Sequence, residues 1–295
     1  GAARAALTLW SMGVNQRHVG TDKNAAILNL HLATGQIGRP GAGPFSLTGQ
    51  PNAMGGRETG GLAHLLPGYR HVSDAAARNV VEGHWGVAPG TIAPRPGRSA
   101  LEIFEGAAGG EIRALWIVCT NPAASMPDLD LVEKALRQAE LVVVQDAYHP
   151  TETSAFADVL LPAAQWPEKD GVMTNSERRL TLLPKLVDPP GEALPDAEIF
   201  TRFAAEMGWK ASFASVRAAE IFDEFAALTT GTPCDYSGVS HARLAADGPL
   251  QWPVPRMDHP GTDRLYTDGR FPTPAGRARF VAVERRWYCI LAGVD

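Results

Sequence analysis

Ala114-Leu115-Trp116-Ile117-Val118-Cys119 and Leu141-Val142-Val143-Val144-Gln145-Asp146 are the two stretches whose reading decides the fold. Each holds a continuous apolar run, the pattern of a strand buried on both faces of a parallel sheet. Between them Leu129, Val132, Ala135, Leu136 and Ala139 recur at helical spacing. The connection has the length that a parallel strand–helix–strand crossover needs. Asp158-Val159-Leu160-Leu161-Pro162 adds a third short strand. The expected class is α/β, with parallel-sheet, Rossmann-like domains.

Each of these strands runs into a polar loop. The first delivers Asn121, the second Gln145 and Asp146, and the third leads to Glu168 and Lys169 in Trp166-Pro167-Glu168-Lys169-Asp170-Gly171. Ligands of open α/β sheets sit beyond the carboxyl ends of the strands, so this recurrence predicts a ligand site along one sheet edge. An acidic residue in the place of Asp146 reads equally well as a ribose or base contact and as a turn-forming Asp. No G-x-G-x-x-G joins the first strand to its helix, which counts against a plain nicotinamide-binding fold.

Working outward, Ala5 to Trp10 reads as a short strand opening into a polar loop, Ser11 to Gly20. Thr21-Asp22 then reads as the N-cap of a helix that Gly35 ends. Gly43 to Gly60, glycine-rich and without helical or strand periodicity, reads as a loop carrying Gln50, Asn52, Arg57 and Glu58. Arg57-Glu58 in such a loop is read first as a solvated pair. Phe45, Leu47 and Met54 argue instead that the loop is packed against something, and its glycines allow close approach of backbone to a ligand. Further along, Leu62–Leu66 and His71–Val81 read as helical turns, Leu101–Ala107, Asp196–Gly208 and Ser215–Leu228 as helices, and Val172–Arg179 as extended or turn. Past Thr229 the chain reads as loops, with a last strand at Arg279–Val283.

Composition narrows the function. At 295 residues, 45% apolar and 20% charged, the chain has ample material for a core, and its net charge of −5 leaves no basic footprint for nucleic acid. No apolar run is long enough to span a bilayer. Cys119, Cys234 and Cys289 are scattered and form no C-x-x-C, so they supply neither a disulfide framework nor a zinc or iron–sulfur site by themselves. A reducing, cytoplasmic location is expected. His18, His64, His71 and His84 match no metal-ligand spacing, and no metal ligand is assigned.

Four loops together resemble the molybdopterin oxidoreductases: Met12-Gly13-Val14-Asn15-Gln16, Gly43-Pro44-Phe45-Ser46-Leu47-Thr48-Gly49-Gln50-Pro51, Cys119-Thr120-Asn121-Pro122 and Trp166 to Gly171. The resemblance extends to about Glu284, in the family's order. Asn52-Ala53-Met54-Gly55-Gly56-Arg57-Glu58 is similar to the assimilatory nitrate reductase catalytic subunits within that family more than to the formate dehydrogenases. It implies a molybdenum bis(molybdopterin guanine dinucleotide) cofactor and the reduction of nitrate to nitrite. It implies that Met12 and Gln16 line the pterin, and that Asn121, Gln145, Asp146, Lys169 and Asp196 contact one guanine dinucleotide arm. Arg57 would sit near molybdenum and orient the oxyanion.

Related subunits also carry a four-cysteine 4Fe-4S segment and a C-terminal domain that closes over the cofactor. Neither pattern occurs here, so the chain reads as an internal piece: 1–60 ending one α/β domain, 61–228 a second with dinucleotide-binding strand ends, and 229–295 a loop-rich, truncated segment. The piece alone is expected to be inactive. A 4Fe-4S cluster is expected in the parent with no ligands in this chain. An electron donor, whether ferredoxin, flavodoxin or an NADH-linked reductase, is the expected partner. The alternatives are a formate dehydrogenase-like molybdenum enzyme and a nucleotide-binding module without redox chemistry.

Overall fold

The computed structural model describes residues 3–17, 19–213 and 215–283. The strands Ala114–Val118, Leu141–Asp146 and Val159–Pro162 form one parallel sheet in that order. The sequence expectation holds strand for strand. Alternation along each strand sends Leu115, Ile117, Val142 and Val144 to one face. There they meet Val132, Ala135 and Leu136 of the helix Leu129–Gln138 and Phe104 and Ala107 of the helix Ala100–Ala108. Ser99 and Glu102 close a capping box at the start of the latter, and the Asp128 carboxylate caps the former, so both helices begin where short polar side chains satisfy free N–H groups. Trp116 points to the opposite face, against Phe200 and Phe203 of the helix Asp196–Glu206. The sheet is thus covered on both sides.

The N-terminal part is a smaller parallel pair, Leu7–Trp10 with Gly43–Ser46, joined through the helix Gly20–Ala33. Here the structure corrects three readings. Gly43–Gly60 is not a continuous loop, because Gly43–Ser46 pairs as a strand and Ala53–Glu58 forms a short helix carrying both Arg57 and Glu58. Met12–Asn15 closes a helical turn. The long helix starts at Gly20 rather than after a Thr21-Asp22 cap; a side chain at Gly20 would put its Cβ 2.2 Å from the Asn15 carbonyl, so glycine is what lets the turn and the helix abut. Single-residue periodicity is too short a signal in elements of four to six residues, where neighbours decide the backbone.

A third core was not legible. Gly171–Thr174, Arg179–Leu183 and Leu250–Gln251 build an antiparallel sheet. Leu180 of that sheet is fully buried with Phe222, Ala226, Cys234, Tyr236, Val239, Leu244, Trp252 and Val254. Residues on both sides of 228 therefore share one core, and the stretch read as loops contributes the helix His241–Asp247 and much of this interior. Two further readings shift: Leu65–Leu66 pairs with Arg70–His71 as a small hairpin, and the following helix runs Ala75–Trp85. Arg279–Val283 is not a strand; it is coil, with Val281 held at both backbone groups by the Asn29 side chain. His18 and Cys289 lie outside the described residues.

Candidate functional site

The N-terminal elements converge on a cavity of about 580 Å³ lined by Met12, Asn15, Gln16, Gly20, Thr21, Asn24, Ser46, Thr48, Gln50 and Arg57. Three residues singled out from sequence, Met12, Gln16 and Arg57, are thus brought to one place by two elements, the turn Met12–Asn15 with its cap Gln16 and the helix Ala53–Glu58. Its wall is fixed by a local network: Trp10 Nε1 donates to Asn15 Oδ1 at 2.9 Å and to Asn24 Oδ1 at 2.7 Å, and Asn15 Nδ2 donates to Ser46 Oγ at 3.1 Å. These asparagines are scaffold, which nothing in the sequence separated from ligand contacts. Gln16 and Arg57 side chains make no hydrogen bond or ion pair among the described residues, and both are exposed.

Arg57 does not pair with its neighbour. The Glu58 side chain is fully buried, its Oε1 accepting from Trp252 Nε1 at 2.6 Å and its Oε2 from the Tyr236 hydroxyl. Successive residues of a helix point about 100° apart, so anchoring Glu58 in the core turns Arg57 toward the cavity. Burial raises the Glu58 pKa above the ordinary carboxylate value, opposed by bonds from Tyr236, Thr174 and Trp252 and by the charge of Arg178. The nearby glycines divide in role. A Cβ on Gly55 would lie 2.2 Å from Asn52 Oδ1, and one on Gly60 2.8 Å from the Leu66 backbone, whereas Gly56 faces open space. Gly55 and Gly60 serve the fold; Gly56 has free space at its Cα, but its amide and carbonyl are bonded to Asn52 and Gly61.

The second cluster lies at the carboxyl end of the parallel sheet. Asp196, first residue of its helix, accepts from Lys169 Nζ at 2.5 Å through Oδ2 and from Gln145 Nε2 at 2.8 Å through Oδ1. Burial works against ionisation of Asp196, but the Lys169 and Gln145 bonds prevail and hold it below the usual carboxylate range. Cys119 Sγ lies 3.5 Å from Asp196 Oδ1; partial burial and that carboxylate push its thiol up to about 11, so it stays protonated at neutral pH. Gln145 is fully buried and its Oε1 has no partner among the described residues. Lys169 and Asp196 also line a cavity of about 890 Å³ that continues past Val172, Arg217 and Phe222 to His241.

Asn121 and Asp146 share this sheet end but not the cluster. Asn121 Oδ1 accepts from the Thr153 amide at 3.1 Å and hydroxyl at 2.6 Å, and its Nδ2 donates to Glu152 at 2.6 Å. Asp146 Oδ1 accepts from the Tyr148 amide at 2.9 Å, an Asx turn, and the residue lines a smaller cavity with His149 and Ser154. Alternation in the strand places it on the face opposite Gln145. Cys119 was not among the sequence candidates; its position at a strand end was the one available signal.

The sequence model of the family described as molybdopterin oxidoreductase matches residues 2–206. The chain belongs to the molybdopterin oxidoreductases. A nitrate reductase of Synechocystis sp. is 54% identical over 95% of this chain and 40% of its own length. The assimilatory nitrate reductase catalytic subunit of Bacillus subtilis is 41% identical over 87% of the chain and 36% of its own length. The F420-dependent formate dehydrogenase subunit alpha of Methanocaldococcus jannaschii is 39% identical over 97% and 41%. The chain therefore spans about 40% of the length of these relatives. The family implies a molybdenum–pterin cofactor, and the N-terminal cavity fits such an anionic group: its lining offers neutral donors and one guanidinium, and no carboxylate. Among the described residues no group of side chains could itself hold a metal ion, and no helix is long and apolar enough to cross a membrane.

Proposed function

We propose that this chain is the cofactor- and substrate-facing part of the catalytic subunit of a molybdenum nitrate reductase. The observation that carries the reading is the convergence of Met12, Gln16 and Arg57 on one cavity whose lining contains no carboxylate. The molybdenum–pterin group, when bound, supplies two-electron oxygen-atom-transfer chemistry that turns nitrate into nitrite. Met12 and Gln16 would line the pterin. Arg57 would hold nitrate: a planar guanidinium presents parallel N–H groups to two oxygens of a planar anion, where an ammonium is a point charge. Lys169, Asp196 and Gln145 would bind a guanine dinucleotide arm of a bis(molybdopterin guanine dinucleotide) form. The opening of Lys169 and Asp196 into one cavity supports this, with the fully buried Gln145 acting through its bond to Asp196. Asn121 and Asp146 would act at the same sheet end, through the loops they order. A 4Fe-4S cluster would take its ligands from other parts of the parent subunit, and a ferredoxin, flavodoxin or NADH-linked reductase would deliver the electrons.

The likeness to a formate dehydrogenase subunit over nearly the whole chain favours a second reading, in which the oriented anion is formate. Formate is also a planar monoanion, and the same fork suits it. Turnover of the complete enzyme with nitrate and with formate separates the two. For Arg57→Lys in the complete enzyme, molybdenum content should be retained while kcat/KM falls by the equivalent of about 2–4 kcal/mol, as for loss of one oriented donor. Wild-type kinetics at normal molybdenum content would remove Arg57 from the substrate site.

A further inference from the structure

The helix that carries Arg57 is six residues long and has no side-chain cap at its start. A helix so short has little stability of its own. Beside the packing of Met54, the side chain that bonds it into the core is Glu58. Its carboxylate lies at zero exposure, with Trp252 Nε1 on one oxygen and the Tyr236 hydroxyl on the other. Tyr236 is itself fixed by Thr174 Oγ1 at 2.9 Å, and the Thr174 amide donates to Asn52 Oδ1 at 2.8 Å, at the residue just before the helix. The Glu58 carbonyl accepts from the Gly68 amide at 2.8 Å. The helix is thus gripped at both ends by one polar network, and the guanidinium of Arg57 is the side chain that this grip leaves facing the cavity.

We propose that Glu58 is the positioning residue for Arg57, and that Tyr236 and Trp252, which lie beyond the residues matched by the family model, belong to the substrate-orienting apparatus through it. The inference rests on the reading of Arg57 as an anion-orienting group. Energetics favour it over a purely structural role. A buried carboxylate is costly, and an apolar side chain of similar volume is often as good or better for stability. What a carboxylate with two directional donors adds is a fixed place and angle for the residue beside it. A displacement of about 1 Å at a reacting centre can cost on the order of 100-fold in rate, so a fixed angle is worth that cost.

The test is a kinetic cycle in the complete enzyme, with rates normalised to molybdenum content, together with amide hydrogen exchange over residues 53–58. Glu58→Gln keeps the volume and one acceptor oxygen but cannot accept from both donors. The expected result is a fall in kcat/KM of roughly 10–100-fold, with raised KM, near-normal molybdenum content and faster exchange in this helix. In the Arg57→Lys background the same change should cost no more than about twofold, as expected of residues acting as one unit. Equal losses in both backgrounds, or no loss beside Arg57, overturn the proposal. Should Glu58→Gln fail to accumulate, Trp252→Phe removes one donor and keeps a large ring, and the same non-additivity with Arg57→Lys decides. Wild-type kinetics for Arg57→Lys refute its substrate role instead. Exchange over 53–58 then still reports on Glu58, and unchanged exchange in Glu58→Gln overturns the anchoring.

Discussion

Replacing Asp196 by Ala tests the polar cluster at the sheet end most directly. The Lys169 and Asp196 side chains are 29% and 27% exposed, so their 2.5 Å contact is screened less than a surface pair. Truncation leaves the ammonium without its counter-charge and the fully buried Gln145 with neither end of its amide paired. A lost hydrogen bond to a charged group costs about 1.5–3 kcal/mol, and loss of an acid at a helix start adds about 0.3–1. The expected loss is therefore about 2–4 kcal/mol, read by urea unfolding of the complete subunit. Asp196→Asn keeps an acceptor for Gln145 and should recover about half. Because the Asp196 pKa lies below its unfolded value of about 3.8, its contribution is complete above that value and fades as pH falls through the folded pKa. Wild type and Asp196→Asn should therefore converge in acid. Asp196→Ala within about 0.5 kcal/mol of wild type at neutral pH, the range of ordinary surface changes, would refute the reasoning.

Three further expectations follow from the buried parts. Glu58 has a raised folded pKa, so it favours the native state least once pH exceeds both its unfolded value, near 4.5, and its folded one; Glu58→Gln should gain stability relative to wild type as pH rises from 4 to 7, and parallel pH curves would contradict this. Tyr69, Tyr236, Cys234 and Arg178 surround the group, and none of the first three is ionised in that range. Leu180→Ala, at a site with zero exposure, should cost about 2–5 kcal/mol in unfolding experiments, a value under 1 showing that the antiparallel core is loose. Gly55→Ala should displace the Asn52 side chain, whose oxygen occupies the Cβ position, and lower the melting temperature by several degrees, whereas Gly56→Ala, facing open space, should not.

The parallel sheet was legible because its strands are apolar on both faces and its helices carry a clear stripe, as in Val132, Ala135 and Leu136. The antiparallel sheet was not. Its strands are short and half-buried, and the residues that complete its core, Tyr236, Val239, Trp252 and Val254, are spaced by turns with no regular period. At the site, Arg57 was picked out by loop chemistry, Met12, Gln16 and Asp196 by resemblance alone, and Lys169 and Gln145 by strand ends and resemblance. Glu58 offered in sequence only the solvated pair with Arg57, the bland reading, since adjacency is all that sequence shows. Its true partners lie 178 and 194 residues away, and only the fold brings them near.

That separation carries a temporal consequence. A ribosome adding about 5–20 residues per second needs roughly 10–40 s to reach Trp252 after Glu58 has been made. Within that interval, once Pro162 has been made, the parallel sheet, with its strands and helices close together in the chain, can assemble. The helix bearing Arg57 cannot yet be fully locked, because Tyr236 comes late in that interval and Trp252 at its end. The cavity wall that carries Arg57 is therefore finished late in synthesis, and a chain arrested before Trp252 would hold a folded sheet beside an unset cavity.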